Sequence, residues 1–213
     1  MIKLNQASLF SGILLFALSA PAFADERSWL SNTYVTANIG SANSGASVDE
    51  VQAEFNDAGI MNTSINSVED RRFGYGIGLG YEILPFWSFE LAYLDLGQVD
   101  VDFTSIQAIN NLENAHPESG DGFTFSVLYK HSFDPKTPAR LRLGVFDWTA
   151  DYKTTQGNGT SSGTDSDSGT DVYWGAGMGY ELTEEFTLIG EIQRFDFDRD
   201  DTIYLAISTE WRF

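Results

Sequence analysis

The sequence predicts an all-β protein: an eight-stranded antiparallel up-and-down transmembrane β-barrel. Three observations carry this expectation. Large apolar residues alternate with small or polar ones at period two along most of the chain. Long connections alternate with short ones. The composition joins 14% aromatic residues and 20 glycines to a mean hydropathy of only −0.19. Such a chain is too aromatic for an acidic disordered protein and too polar for a bundle of membrane helices.

The 213 residues suit one or two domains. No cysteine is present, which excludes disulfide scaffolds, cysteine-ligated zinc and thiol catalysis. Acidic residues outnumber Lys and Arg 31 to 12, a formal charge of −19. That surface repels phosphate backbones, so nucleic acid is not an expected partner.

Residues 1–24 read as a secretory signal peptide. Lys3 supplies the positive start, Leu9 to Leu18 the apolar core, and Ala22-Phe23-Ala24 a cleavage site before Asp25. The run is short for a membrane anchor and ends in small residues. Removing it leaves 11 basic against 31 acidic residues, a formal −20. Residues 25–213 then form the barrel domain. No later segment has the roughly 20 continuous apolar residues of a spanning helix, but a closed barrel satisfies every backbone group without one.

The clearest alternation runs from Phe73 to Tyr81, with every large residue on one face and Gly74, Gly76, Gly78 and Gly80 on the other. A lipid-facing strand has this pattern, aromatic side out and small or polar side in. Eight such strands fall at about 29–41, 71–83, 87–101, 121–133, 139–153, 171–182, 186–198 and 202–213, each boundary good to ~2–4 residues. The connections after the first, third and fifth are long, while Leu84 to Phe86, Asp134 to Pro138 and Thr183 to Glu185 are short. This is the asymmetry of outer-membrane barrels, long outside and short in the periplasm. Arg199 to Asp201 is a short outer connection and departs from it. A soluble sandwich does not require this parity.

Within the first long connection, Ser47 and Glu50 have capping-box spacing, and Val51, Phe55 and Ala58 share one side, so a short helix is expected there. The run Thr154 to Asp171 is rich in Ser, Thr, Gly and Asp and reads as an outer loop.

Three ordered stretches carry a family resemblance: Gly74 to Gly97, Leu143 to Tyr180, and Glu191 to Phe213 with its terminal aromatic. Together they resemble the OmpA-like transmembrane β-barrel family of Gram-negative outer-membrane proteins. The resemblance implies an outer-membrane barrel with both termini in the periplasm. With the chain ending at Phe213, the peptidoglycan-binding domain of full-length members is expected to be absent, along with any cell-wall tethering.

Ile203, Leu205, Ile207, Thr209, Trp211 and Phe213 share the lipid face of the last strand. A final strand ending in Trp211 and Phe213 resembles the signal read by the barrel-insertion machinery. It also suits the periplasmic aromatic girdle, with Trp87, Phe133 and Phe186 near the same level.

The opposite parity faces the lumen. Near the periplasmic half this places Glu82, Glu90, Lys130, Arg140, Arg142, Glu181, Glu191, Glu210 and Arg212 inside. Charges there must pair or meet water, and eight strands leave a lumen just wide enough for side chains to fill. A polar plug that satisfies the core is one reading. A gate whose ion pairs exchange partners is the other. Family members carry such a salt-bridge cluster, and the resemblance assigns Glu90, Lys130, Arg142 and Glu191 to it. Strict alternation also places Asp95 and Asp147 on the lipid face, which requires either a bulge before each or a position above the membrane boundary.

Other chemistry is weaker. The Gly74 to Gly80 series lacks the spacing and following helix of a dinucleotide loop and makes room for large neighbours inside the barrel. Asp196, Asp198, Asp200 and Asp201 could attract calcium, but the glycine and bidentate glutamate of an EF-hand are missing, and a solvated acidic rim is the plainer reading. His131 and Ser132 are adjacent, hence on opposite faces, and cannot pair as base and nucleophile. His116 lies in a loop with Glu113, Glu118 and Ser119. No enzyme, cofactor or metal is expected.

The expected function is therefore a monomeric outer-membrane protein with a structural or surface-exposed role, its lumen filled by a salt-bridge network. Outer-membrane lipid and lipopolysaccharide are the expected surroundings, and the insertion machinery the partner during assembly. The alternatives are a narrow channel gated by the lumen charges, or an adhesin or receptor acting through loops 42–70, 102–120 and 154–170.

Overall fold

A computed structural model describes residues 30–57, 63–98, 100–105, 119–156, 161–197 and 200–213. The expected signal peptide at 1–24, the 106–118 segment with His116, Glu113 and Glu118, and Asp198 lie outside the described residues.

Among the described residues, ten strands follow a short 3-10 turn: β1 Thr33–Asn43, β2 Thr63–Glu69, β3 Arg72–Leu84, β4 Trp87–Gln98, β5 Asp100–Ser105, β6 Ser119–Ser132, β7 Pro138–Gln156, β8 Ser161–Glu181, β9 Phe186–Phe197 and β10 Asp200–Arg212. One helix, α1 Val48–Asp57, precedes β2. Eight strands close on themselves: β3, β4, β6, β7, β8, β9, β10 and β1 pair in that order, and β1 returns to β3. Every barrel pair is antiparallel. The register is the one the alternation demands. Tyr34 opposes Gly80 and Ile39 opposes Tyr75 on β1 and β3, while Leu91 opposes both Leu79 and Phe125.

The outward positions form a continuous apolar band, including Ile77, Leu79, Leu91, Phe125, Leu143, Trp174, Ile192, Leu205 and Ile207. Leu143 is 61% exposed and Ile207 59%. Water does not tolerate a patch of that extent on a monomer; lipid covers it. At the short-turn end the band closes with aromatics. Trp87 lies 5.1 Å from Tyr129, Trp211 lies 5.5 Å from Phe213, and Phe133 meets His131 edge-on. His131 and Ser132 are both exposed there.

Asp95 and Asp147 stay on the outward face with the register intact up to each of them. Asp95 opposes Tyr75 and Asp147 opposes Phe123. The bulge between β4 and β6 comes after Asp95, not before it. Both carboxylates sit at the outer end of the apolar band and find partners. Gly97 N donates to Asp95 Oδ1 at 2.8 Å and Thr170 Oγ1 to Asp147 Oδ1 at 2.7 Å.

The outer region holds more regular structure than the sequence suggested. The 154–170 stretch is not a loop throughout: β7 continues to Gln156 and β8 begins at Ser161, paired from Ala139 with Met178 up to Thr155 with Ser161. Polar, glycine-rich residues carry this ribbon because its backbone groups satisfy one another in the ladder, with no buried face needed. β2, unforeseen, and β5, expected as strand only at 100–101, extend the β3–β4 ribbon outward, and β5 then joins the top of β7 in parallel.

The helix forms where the capping box stood. Ser47 Oγ accepts from Glu50 N at 3.3 Å, while Ser47 N donates to Glu50 Oε2 at 3.0 Å. Val51 and Phe55 are fully buried against Ile65 and Phe103, with the Phe55 and Phe103 rings 5.7 Å apart. Gln52 clips the helix to the strand edge: its Nε2 donates to Thr63 O and its Oε1 accepts from Ile65 N, each at 3.0 Å. A small core thus sits above the lipid band.

Asp70, between β2 and β3, fixes that unit to the barrel. Its Oδ1 accepts from Ser44 N at 3.0 Å and Ser44 Oγ at 2.6 Å, and its Oδ2 accepts from Gly45 N at 2.6 Å. Burial alone works to raise its pKa; these hydrogen bonds and the Arg72 guanidinium outweigh it and hold the carboxyl below its ordinary value.

Candidate functional site: the barrel lumen

The lumen is built in two layers, because the inward parity of every barrel strand changes chemistry halfway along. In the periplasmic half, β4 contributes Glu90, β7 Arg140 and Arg142, β9 Glu191, and β10 Glu210, all buried. Arg142 Nε lies 2.9 Å from Glu191 Oε1, and its Nη1 pairs with Glu90 and donates to Ser126 Oγ at 3.0 Å. Arg140 also pairs with Glu191 and lies 3.9 Å from Glu210. Nearer the mouth, Lys130 reaches Glu82 and Glu210, each at 3.2 Å. Arg212 completes the chain of charges with Glu210 at 2.9 Å, Glu82 at 3.7 Å and Glu181 at 3.8 Å.

The structure therefore brings all nine residues singled out for the lumen into one connected network. One assignment changes. Lys130 does not join Glu90 and Glu191. It sits at the mouth with Glu82 and Glu210, and its Nζ lies 3.9 Å from the centre of the Tyr34 ring. The buried centre is Glu90, Arg142, Glu191 and Arg140. Neighbours in the ladder are consistent with this: Lys130 opposes Arg140 across β6 and β7, and the two like charges diverge, Arg140 towards Glu191 and Lys130 towards Glu82, with Glu210 between them.

The outer half of the lumen is apolar, against the expectation of a polar interior. Leu94, Leu96, Phe146, Trp148, Tyr173, Phe195 and Tyr204 form a buried cluster with Ala42, Ala150 and Ala206. Tyr173 stacks on Phe195 at 4.7 Å, and Phe146 meets Phe195 edge-on at 5.2 Å. Two of the aromatics satisfy their polar ends at the margins, Trp148 Nε1 donating to Asp171 Oδ2 at 2.7 Å and Tyr204 OH to Asn38 Oδ1 at 2.8 Å, whereas the buried Tyr173 hydroxyl has no hydrogen-bond partner among the described residues. The signal was in the parity itself. Leu94 and Leu96 continue the face of Glu90, Phe146 and Trp148 that of Arg142, and Phe195 that of Glu191. Above this layer Arg72, buried, donates to Thr202 Oγ1 at 3.2 Å.

An unpaired charge in this space would cost several kcal/mol, on the order of 3–5 when one partner of a buried pair is removed. The arrangement answers that cost with partners in series, and the apolar cluster lies above it. Among the described residues no cluster of three or more His, Asp or Glu could hold a metal. Asp196 and Asp201 at the outer tip both pair with Arg194.

Comparison with known proteins gives one family match and several relatives of low identity. Residues 10–213 match the family model of the outer membrane protein beta-barrel domain. Outer membrane protein A of Salmonella typhi is 25% identical over 170 residues, which cover 76% of this chain and 45% of that protein; the chain thus spans about half the length of that curated relative. Among solved structures, Neisserial surface protein A is 14% identical, covering 86% of this chain and 98% of its own, with a TM-score of 0.49. OprG of Pseudomonas aeruginosa is 11% identical, with coverage of 86% and 96% and a TM-score of 0.49.

Proposed function

We propose, for a chain that belongs to the outer membrane protein beta-barrel family and resides in the outer membrane, that it is a sealed barrel serving as a membrane-embedded pedestal for its outer structure. The observation that supports this most is the two-layer lumen. A water path would have to part the ion pairs around Arg142 and Glu191 and also the stacked rings of Tyr173, Phe195 and Phe146. A hydrophobic constriction of that kind blocks conduction by excluding water even when charges below it rearrange. The outer face, in turn, carries a helix with its own core, clipped to a strand ribbon by Gln52 and to the barrel by Asp70. Such order suits presentation of a surface. Trp211 and Phe213 serve as the assembly signal in this reading, and lipopolysaccharide surrounds the outer half.

Planar-bilayer recordings of the refolded chain test the seal. Insertion confirmed by a heat-dependent gel shift, with a silent membrane, is the expected result. Discrete openings that change when Glu191 or Arg142 is neutralised would replace the pedestal with a gated channel.

A further inference from the structure

Arg140 grips one carboxylate and falls short of another. It is buried, and its Nη2 pairs with Glu191. Its Nη1 lies 3.9 Å from Glu210 Oε2, too far for a hydrogen bond, and has no hydrogen-bond partner among the described residues. A guanidinium nitrogen can only donate, so a buried one left dry is costly.

The gap follows from the strands around it. At this level β8 presents only Gly177 and Gly179 to the lumen: Gly177 opposes both Arg140 and Glu191, and Gly179 opposes Ile189. Ile189 leans over these glycines, its Cγ1 2.8 Å from where a Cβ on Gly179 would stand. A small cavity remains, lined by Lys130 of β6, Arg140 of β7, Thr187 and Ile189 of β9, and Glu210 and Arg212 of β10. The centre of a water molecule has about 10 Å³ to occupy inside it, which is room for one water and no more.

We propose that this cavity holds one internal water molecule, which accepts from Arg140 Nη1, donates to Glu210 Oε2 and so joins the buried charge centre to the periplasmic mouth. A bridge of this kind is nearly as favourable as a direct hydrogen bond. Size and charge together select the occupant. Lys130, Arg140 and Arg142 are matched by Glu210, Glu191 and Glu90, so an anion would add an unmatched charge beside the Glu210 carboxylate. A cation would face Lys130, Arg140 and Arg212 at once. Water can accept from one side and donate to the other. The nearest solvent is periplasmic, since Arg212 and Glu82 at the mouth are 30% and 32% exposed. The site does not depend on whether the lumen conducts.

The test labels the isoleucine methyl groups of the refolded chain in lipid nanodiscs and reads their nuclear Overhauser effects to water. Ile189, on the cavity wall, should show a cross peak with the sign of a bound water, where lipid-facing Ile207 shows none. Replacing chloride by sulfate at equal ionic strength should leave the Ile189 signal unmoved. Thr187→Leu should fill the cavity and abolish the cross peak, with the heat-dependent gel shift unchanged. If that variant does not fold, the two wild-type measurements decide. No cross peak at Ile189, an Ile189 signal that follows chloride, or a cross peak that survives in folded Thr187→Leu would overturn the site.

Discussion

The Tyr34 ring lies directly over Gly80, its ladder partner on β3, so closely that a Cβ on Gly80 would stand 2.0 Å from the ring. The same ring stacks under Lys130 and donates its hydroxyl to Ser88 Oγ at 3.1 Å. One missing side chain thus positions both a lumen aromatic and a lumen cation. Gly80→Ala should destabilise the barrel by about 1–3 kcal/mol through overpacking. The loss should shrink in a Tyr34→Ala background. Equilibrium urea unfolding in lipid vesicles measures both, and equal losses in the two backgrounds would show that the ring is not the obstacle.

Arg142 is the only cation that pairs with Glu90 among the described residues, and it shares Glu191 with Arg140. Arg142→Gln leaves the buried Glu90 without a cation and Glu191 with Arg140 alone, at a cost of about 3–5 kcal/mol. Glu191→Gln leaves Arg142 with Glu90, and Arg140 within 3.9 Å of Glu210, so its cost should be clearly smaller. The ranking of the two unfolding free energies is the check; the reverse order would mean the network is organised around Glu191.

The helix and ribbon should open without the barrel. Phe55→Ala removes a fully buried ring from the four-residue core of Val51, Phe55, Ile65 and Phe103, a change worth about 3–5 kcal/mol in a packed site. Protease cleavage within residues 48–69 should rise sharply while the heat-dependent gel shift stays as in the wild type. A lost gel shift would mean that the outer unit and the barrel fold as one.

Asp70 gives the outer unit an acid dependence. Its carboxyl is held below the ordinary value despite burial, so its stabilising effect is complete above the unfolded-state pKa, about 3.9, and is lost as pH falls through the lower folded value. Amide exchange at Ser44 and Gly45, corrected for intrinsic rates, should therefore accelerate only in that acid range. Asp70→Asn should raise exchange at neutral pH and flatten the dependence. Exchange that already accelerates between neutral pH and the unfolded-state value would assign the effect to another group.

Much of the barrel was legible because its two faces meet two different solvents. Phe73 to Tyr81 has one arrangement that puts every large residue on lipid, and a slip of one residue would turn every glycine outward. The helix was legible from Ser47 and Glu50, whose hydrogen bonds are local. The outer ends of β7 and β8, the whole of β2 and most of β5 were not. Their stability comes from pairing with each other rather than from an amphipathic pattern, so residues such as Ser161 and Thr164 read as loop.

In the lumen the same division holds. The sequence by itself determined which residues face inward, since parity depends only on position along a strand. It also determined the terminal aromatics, the helix cap and the charge. Only the tertiary structure decided which inward residues touch. Lys130 meets Glu82 and Glu210 rather than Glu90, and Phe195 of β9 stacks on Tyr173 of β8, because the level at which each strand enters the barrel is set by closure of all eight strands together. No single strand carries that stagger.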